Sequence, residues 1–219
     1  MLTPKTFTFL KELKKNNNRD WFNDHKADYL AVKDEFESLV EETIGRIGKF
    51  DKDIADLSPR DCIFRIYKDI RFAKDKSPYK THMGAWMVKD GKKAESGAGY
   101  YVHIEPKGSF LAGGAHMPDS VWLKALRNHV YENWKEFEKI RRNGRFKKLF
   151  EEMEGEKLKR LPSGFDPDHP AAEMLKLKSY VVVHRFNETT VLSNSFGKYC
   201  GDVFRVLHPL NRFLNATLK

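Results

Sequence analysis

Apolar residues recur at helical spacing through the first fifty positions. Phe7, Leu10 and Leu13 lie on one side of a run that Asn16-Asn17-Asn18 interrupts. Thr3-Pro4 ahead of it has the form of an N-cap followed by proline at the first helical position. A longer stripe follows: Phe22, Tyr29, Val32, Phe36, Leu39, Val40, Thr43, Ile44 and Ile47. It predicts one helix over 19–48 with Asn18 as its cap. The period then changes from 3.6 to 2. Runs at 61–67, 82–89, 99–105, 109–116 and 180–186 predict five strands, the third and fourth joined around Pro106-Lys107-Gly108-Ser109. Helical spacing returns in Leu123, Leu126, Val130, Trp134, Phe137 and Ile140 behind an Asp119 cap, and in a short helix at 170–177. A terminal stripe runs from Phe196 to Leu214, where Pro209 should kink or split the helix. Hairpin-type links predict antiparallel pairing. The expected fold class is α+β: a mainly antiparallel sheet of about five strands packed with N-terminal, central and C-terminal helices, with residues 1–219 as one domain.

Composition narrows the class. The chain is 40% hydrophobic and 13% aromatic, which excludes a disordered chain. No apolar run reaches the roughly 18 residues of a membrane span, and the first residues lack a secretory pattern, so a cytoplasmic protein with no membrane partner is expected. Two cysteines, Cys62 and Cys200, make neither a disulfide framework nor a cysteine-rich zinc site. The formal net charge of +9 favours anionic partners. One basic cluster spans 65–80. A second, over 139–160, is interrupted by Glu151, Glu152, Glu154 and Glu156 and reads as a solvated helical face.

The richest chemistry lies in Arg65 to His82, predicted to begin as a strand and become a loop of about a dozen residues, a length that usually serves a function. Arg65, Arg71, Lys76 and Lys80 would hold a phosphate or carboxylate, with Tyr67 and Tyr79 beside them. In the hairpin, alternation puts Tyr100, Val102 and Ile104 on the core face, and Tyr101, His103 and Glu105 on the other. With Lys107-Gly108 as the turn, Glu105 pairs with Phe110, His103 with Ala112 and Tyr101 with Gly114, and His116 falls on the same face. A polar row then stands over a floor of small residues, with room for a ligand. His103 and Glu105 are the expected acid and base. Metal is expected at none of these residues, because His82, His103, His116, His184 and Glu105 show no HxxxH or HExxH spacing, although a site assembled across strands would fit them. Phosphate-loop, nucleophile-elbow and dinucleotide motifs are absent from the sequence.

Several stretches are familiar together: Phe9-Leu10-Lys11-Glu12-Leu13, Asn16-Asn17-Asn18-Arg19-Asp20-Trp21-Phe22, the Arg65 to His82 segment, Gly99 to Pro106, and Phe213-Leu214-Asn215. On these the chain resembles, over nearly its whole length, a widespread bacterial family of conserved hypothetical proteins, a domain of unknown function of about this size. Ile70 and Ala73 stand where small polar residues are expected, a minor departure. The resemblance implies one α+β domain and brings no reaction, cofactor or catalytic residue.

The expected function is binding of, or catalysis on, an anionic small molecule at the basic loop and the sheet face. Two alternatives are a nucleic-acid-binding protein using that loop and the 139–160 helix, and a scaffold without a small ligand. Whether the site is catalytic is open, and so is any cofactor.

Overall fold

A computed structural model describes residues 1–71 and 74–218. Phe72, Ala73 and Lys219 lie outside the described residues, and with them part of the predicted loop. Helices α1 (Pro4–Lys15), α2 (Arg19–Asp24), α3 (Lys26–Ile47) and α4 (Pro59–Cys62) precede three strands, β1 (Met83–Met87), β2 (Gly99–Ile104) and β3 (Phe110–Ala115). Then come α5 (Ser120–Glu132), α6 (Trp134–Arg142), α7 (Gly144–Leu149), α8 (Ala172–Leu175), β4 (Tyr180–Arg185), α9 (Glu188–Val191) and α10 (Phe196–Asn215). The architecture is α+β. Among the described residues its antiparallel sheet has four strands in the order β1-β2-β3-β4, not about five. No helix among the described residues is long and apolar enough to cross a membrane.

The strand expected over 61–67 is the missing one. Asp61 accepts hydrogen bonds from both the backbone N–H and the hydroxyl of Ser58, and Pro59 occupies the first helical position. This capping box turns the chain into α4 instead. Beyond it the segment meets the sheet only briefly, through an Ile63–Ala85 bridge and the Phe64 N–H on the Gly84 carbonyl. It then pairs with the return leg of its own loop. Lys80 N–H bonds Ile66 O, Lys68 N–H bonds Pro78 O, and Tyr67 bridges Tyr79.

The helix expected over 19–48 divides at His25, whose ring stacks on Trp21 at 4.0 Å while its Nδ1 meets the Trp21 carbonyl. Asn18 caps α2 as expected, accepting from the Trp21 N–H. Proline 209 does not split α10. The helix is held on both sides of it, by His208 on the Tyr100 hydroxyl and by Asn211 on the Gly99 carbonyl.

One sheet face is buried against α3 and α10. Ala85, Met87, Tyr100, Val102, Ile104, Leu111, Tyr180 and Val182 form it, each almost fully buried. The close approach of α10 depends on Gly113. A Cβ there would sit 2.3 Å from Leu207 Cδ2 and 2.5 Å from the Gly99 carbonyl oxygen. Asn215, in the last turn of α10, binds both backbone groups of Ala98 at 2.7 and 2.9 Å. The Gly97-Ala98-Gly99 segment that leads into β2 is therefore pinned.

Candidate functional site

The opposite sheet face carries the chemistry. In the hairpin His103 pairs with Phe110, Tyr101 with Ala112 and Gly99 with Gly114. The expected pairing is off by two residues, because the turn centres on Pro106-Lys107, with Lys107 in the left-handed region at φ 60° and Gly108 N–H on the Glu105 carbonyl. A shift of two preserves parity, so Tyr101, His103 and Glu105 still share the non-core face. On β1, the same alternation adds Gly84 and Trp86, and His82 just before the strand.

Within this face the polar row is continuous. The Tyr101 hydroxyl is 3.2 Å from His103 Nδ1, and His103 Nε2 is 3.2 Å from Glu105 Oε2. Glu105 in turn accepts from Thr81 Oγ1 at 3.4 Å. An ionised carboxylate only accepts, so Nε2 carries the imidazole proton and Nδ1 accepts from Tyr101. His103 is 8% exposed, sandwiched between Phe110 (ring centroids 4.4 Å, interplanar angle 13°) and His82 (4.3 Å). Burial lowers the pKa of both histidines. It takes His82 down to about 4, helped by the neighbouring His103, and in His103 it outweighs the opposing pull of Glu105. Burial, followed by the Glu105 charge, pushes Tyr101 up to about 12.

Gly84 makes room for this row. It faces His103 across the strands, and a Cβ on it would lie 2.6 Å from the Tyr101 hydroxyl. Next to it, Tyr101 borders a cleft of about 590 Å³ across the sheet face. Aromatic and aliphatic side chains dominate its wall: Phe64, Trp86, Phe110, Trp122, Val181 and Val183. His103 and Glu105 lie beside this cleft rather than on its wall. His116 lines it at the opposite end of β3 from Phe110, about 20 Å away at roughly 3.4 Å per residue.

The basic residues of the loop are mostly occupied by the loop itself. Arg71 pairs with Asp69 in a forked contact of 3.0 and 2.6 Å, and Lys68 binds Asp75 at 2.7 Å and Ser77 at 2.6 Å. Those contacts bring Asp69 down to about 2 and Asp75 lower still. Lys76 donates to the Ile70 carbonyl. Tyr79 is 3% exposed and stacked on Phe22 at 4.0 Å, while Asn17 clasps its backbone N–H and C=O. Tyr67 is 45% exposed beside it. Among the described residues Arg65, Lys74, Lys76 and Lys80 make no ion pair, so only Lys68 and Arg71 of this cluster are held by carboxylates. The Lys80 ammonium lies 5.2 Å over the Phe64 ring, at the edge of the cleft, and burial followed by the charge of Arg65 lowers its pKa.

So the structure joins Tyr101, His103 and Glu105 and places Lys80 near them over Phe64, with Arg65 acting on Lys80. It ties Arg71 and Lys76 to the loop, buries Tyr79, and sets His116 apart. From sequence His82 enters only as a possible metal donor and Phe110 only as a pairing partner; Gly84, Phe64 and Trp86 are not placed at the site. Alternation along β1 was the available signal for His82, Gly84 and Trp86.

A comparison with protein-family models matches residues 5–213 to a conserved hypothetical protein (DUF2461). The chain belongs to that family. No curated protein and no solved structure matches it. The family match spans both the Asn17–Tyr79 clasp and the Tyr101–Glu105 row, so the familiar stretches combine structural fastening with the polar face.

Proposed function

We propose that this member of the family binds an anionic small molecule, phosphorylated or carboxylated, with its apolar or aromatic body in the sheet-face cleft. Lys80 and Arg65 hold the anion. One observation carries the reading: the Lys80 ammonium stands over Phe64 at the edge of an aromatic-walled cleft, with Arg65 near enough to lower its pKa and no ion pair to Lys80 among the described residues. Of the two acids on that wall, Glu154 is neutralised by Arg185 at 2.6 Å, and Glu95 lies on the segment before Gly97. The Tyr101–His103–Glu105 row gives this end of the cleft a hydrogen-bonded chain along which a proton can move, with His103 as acid or base.

A thermal-shift panel tests it, run in chelator with phenyl phosphate, nucleotides, sugar phosphates and a short oligonucleotide at low and high salt. A ligand at a hundred times its Kd adds about 2.7 kcal/mol to the native state. For a chain of this size that is a rise of about 5–10 °C. The proposal expects a salt-resistant rise with a small anion, lost in Lys80→Ala. A rise only with the oligonucleotide, abolished by salt, would transfer the reading to nucleic acid. No rise with any probe would reject both.

A further inference from the structure

We propose that His82, His103 and Glu105 form a binding site for a divalent transition-metal ion with a coordination position left open. Three donor groups, two imidazoles and one carboxylate, bring their ligand atoms within 4.8 Å of one another. The tightest pair is His103 Nε2 and Glu105 Oε2 at 3.2 Å. Two donors each about 2.0–2.2 Å from one metal stand about 3.0–3.5 Å apart in octahedral or tetrahedral geometry, so this pair is already at ligand spacing. A proton now bridges it, and a metal ion would take the place of that proton. The Tyr101 hydroxyl at Nδ1 would then accept from the imidazole, fixing the tautomer that frees Nε2. His82 needs to move inwards by about 1 Å or more to complete the set.

The surroundings have the features of a supported site. His103 is on β2 and held between Phe110 and His82, and Glu105 is fixed by Thr81 and by Ser109 on its backbone. Glu105 also lines a shallow cleft with Lys107 and α1, a route from solvent. Two nitrogens and one carboxylate suit zinc, manganese, iron or cobalt, whereas magnesium and calcium prefer oxygen alone. Three protein donors leave room for an exogenous ligand. A divalent ion with a single carboxylate is net positive, and Lys80 and Lys68 act on His82 from nearby. The open position therefore favours an anion. That last step rests on the function proposed above; the metal site itself does not.

The test uses tag-free full-length protein, stripped with chelator and titrated separately with Zn²⁺, Mn²⁺ and Co²⁺ in a calorimeter. One ion per chain is expected for at least one metal. Binding should weaken by about 100-fold in His82→Gln and Glu105→Gln, and by about 10-fold in Tyr101→Phe. Cobalt should give a visible absorption band that His82→Gln removes. Melting curves of the variants separate loss of the site from loss of the fold, and the wild-type cobalt spectrum needs no variant. Wild-type affinity no better than that of a folded His82→Gln, or cobalt with its aqueous spectrum, overturns the inference. Anion binding in chelator without any metal uptake would sink this inference alone. Metal uptake without anion binding would sink only the function proposed above.

Discussion

Replacing Gly84 with alanine isolates the polar row from the fold. The added Cβ would lie 2.6 Å from the Tyr101 hydroxyl oxygen and 3.3 Å from its Cζ, where ordinary contacts begin at 3.4 Å. The hydroxyl must retreat by about 0.8 Å to go from 2.6 Å to ordinary contact at 3.4 Å. Its bond to His103 is already 3.2 Å long, so a retreat of that size away from His103 stretches it towards 4 Å and breaks it. Losing one such bond costs about 0.5–1.5 kcal/mol. Alanine in a strand returns about 0.5–1 kcal/mol relative to glycine. Global stability should therefore change by no more than about 1 kcal/mol, while Tyr101 leaves His103. Urea unfolding reads the first, and a high-resolution structure or the His103 ring-nitrogen NMR shifts read the second. Gly113→Ala is the contrast. Its Cβ would meet a backbone oxygen at 2.5 Å as well as Leu207, and should cost about 3 kcal/mol or more. A Gly84→Ala protein that keeps the Tyr101–His103 bond, or that unfolds as readily as Gly113→Ala, would show that Gly84 does not make room for the Tyr101 hydroxyl.

Three further outcomes follow from the packing. Asn215→Ala leaves both backbone groups of the buried Ala98 unpaired and should cost about 2–4 kcal/mol in urea unfolding; a loss under about 0.5 kcal/mol would show that water replaces the clamp. Burial raises the Glu35 pKa, but hydrogen bonds from Thr6 and Thr3 outweigh it and hold the carboxyl below its usual value. A lowered folded pKa gives stability that is present above the unfolded value of about 4.3 and lost as pH falls through the folded one. Glu35→Gln should thus be less stable than wild type at pH 7, with the gap closing below about pH 4; a pH-independent gap contradicts the assignment. Burial, with Asp61 adding to it, pushes the Cys62 thiol up to about 12, and burial raises Cys200 as well. Neither should react with a thiol reagent until the protein unfolds, and labelling of native protein would count against the placement.

What the sequence made legible depended on which signals are local. Alternation along β2 put Tyr101, His103 and Glu105 on one face, and that assignment survived a pairing error of two residues because parity has period two. The Asn18 and Asp119 caps are local hydrogen bonds, and both form. The segment 61–67 misled because its apolar residues suit a strand, while the Ser58-Pro59 start with Asp61 three positions on, a helix signal, outweighed them. The charges in the loop were visible, and so were Asp69 and Asp75 as the acids that hold it; that Asp75 takes Lys68 and not the adjacent Lys76 was not. Asp69 and Asp75 each take a basic residue out of play through contacts set by the fold of the loop. Nor did sequence show that His82 stacks on His103, since that meeting requires β1 and β2 to pair with Gly84 opposite His103.

In the proposed function Lys80 and Arg65 hold an anion at the edge of the sheet-face cleft. Calorimetric titration of phenyl phosphate into wild type, Lys80→Ala and Arg65→Ala, in chelator and at high salt, tests it most directly. Saturable one-to-one binding is expected in wild type, weakened by at least about tenfold, or about 1.4 kcal/mol, in each variant. Equal heats from all three proteins would contradict it.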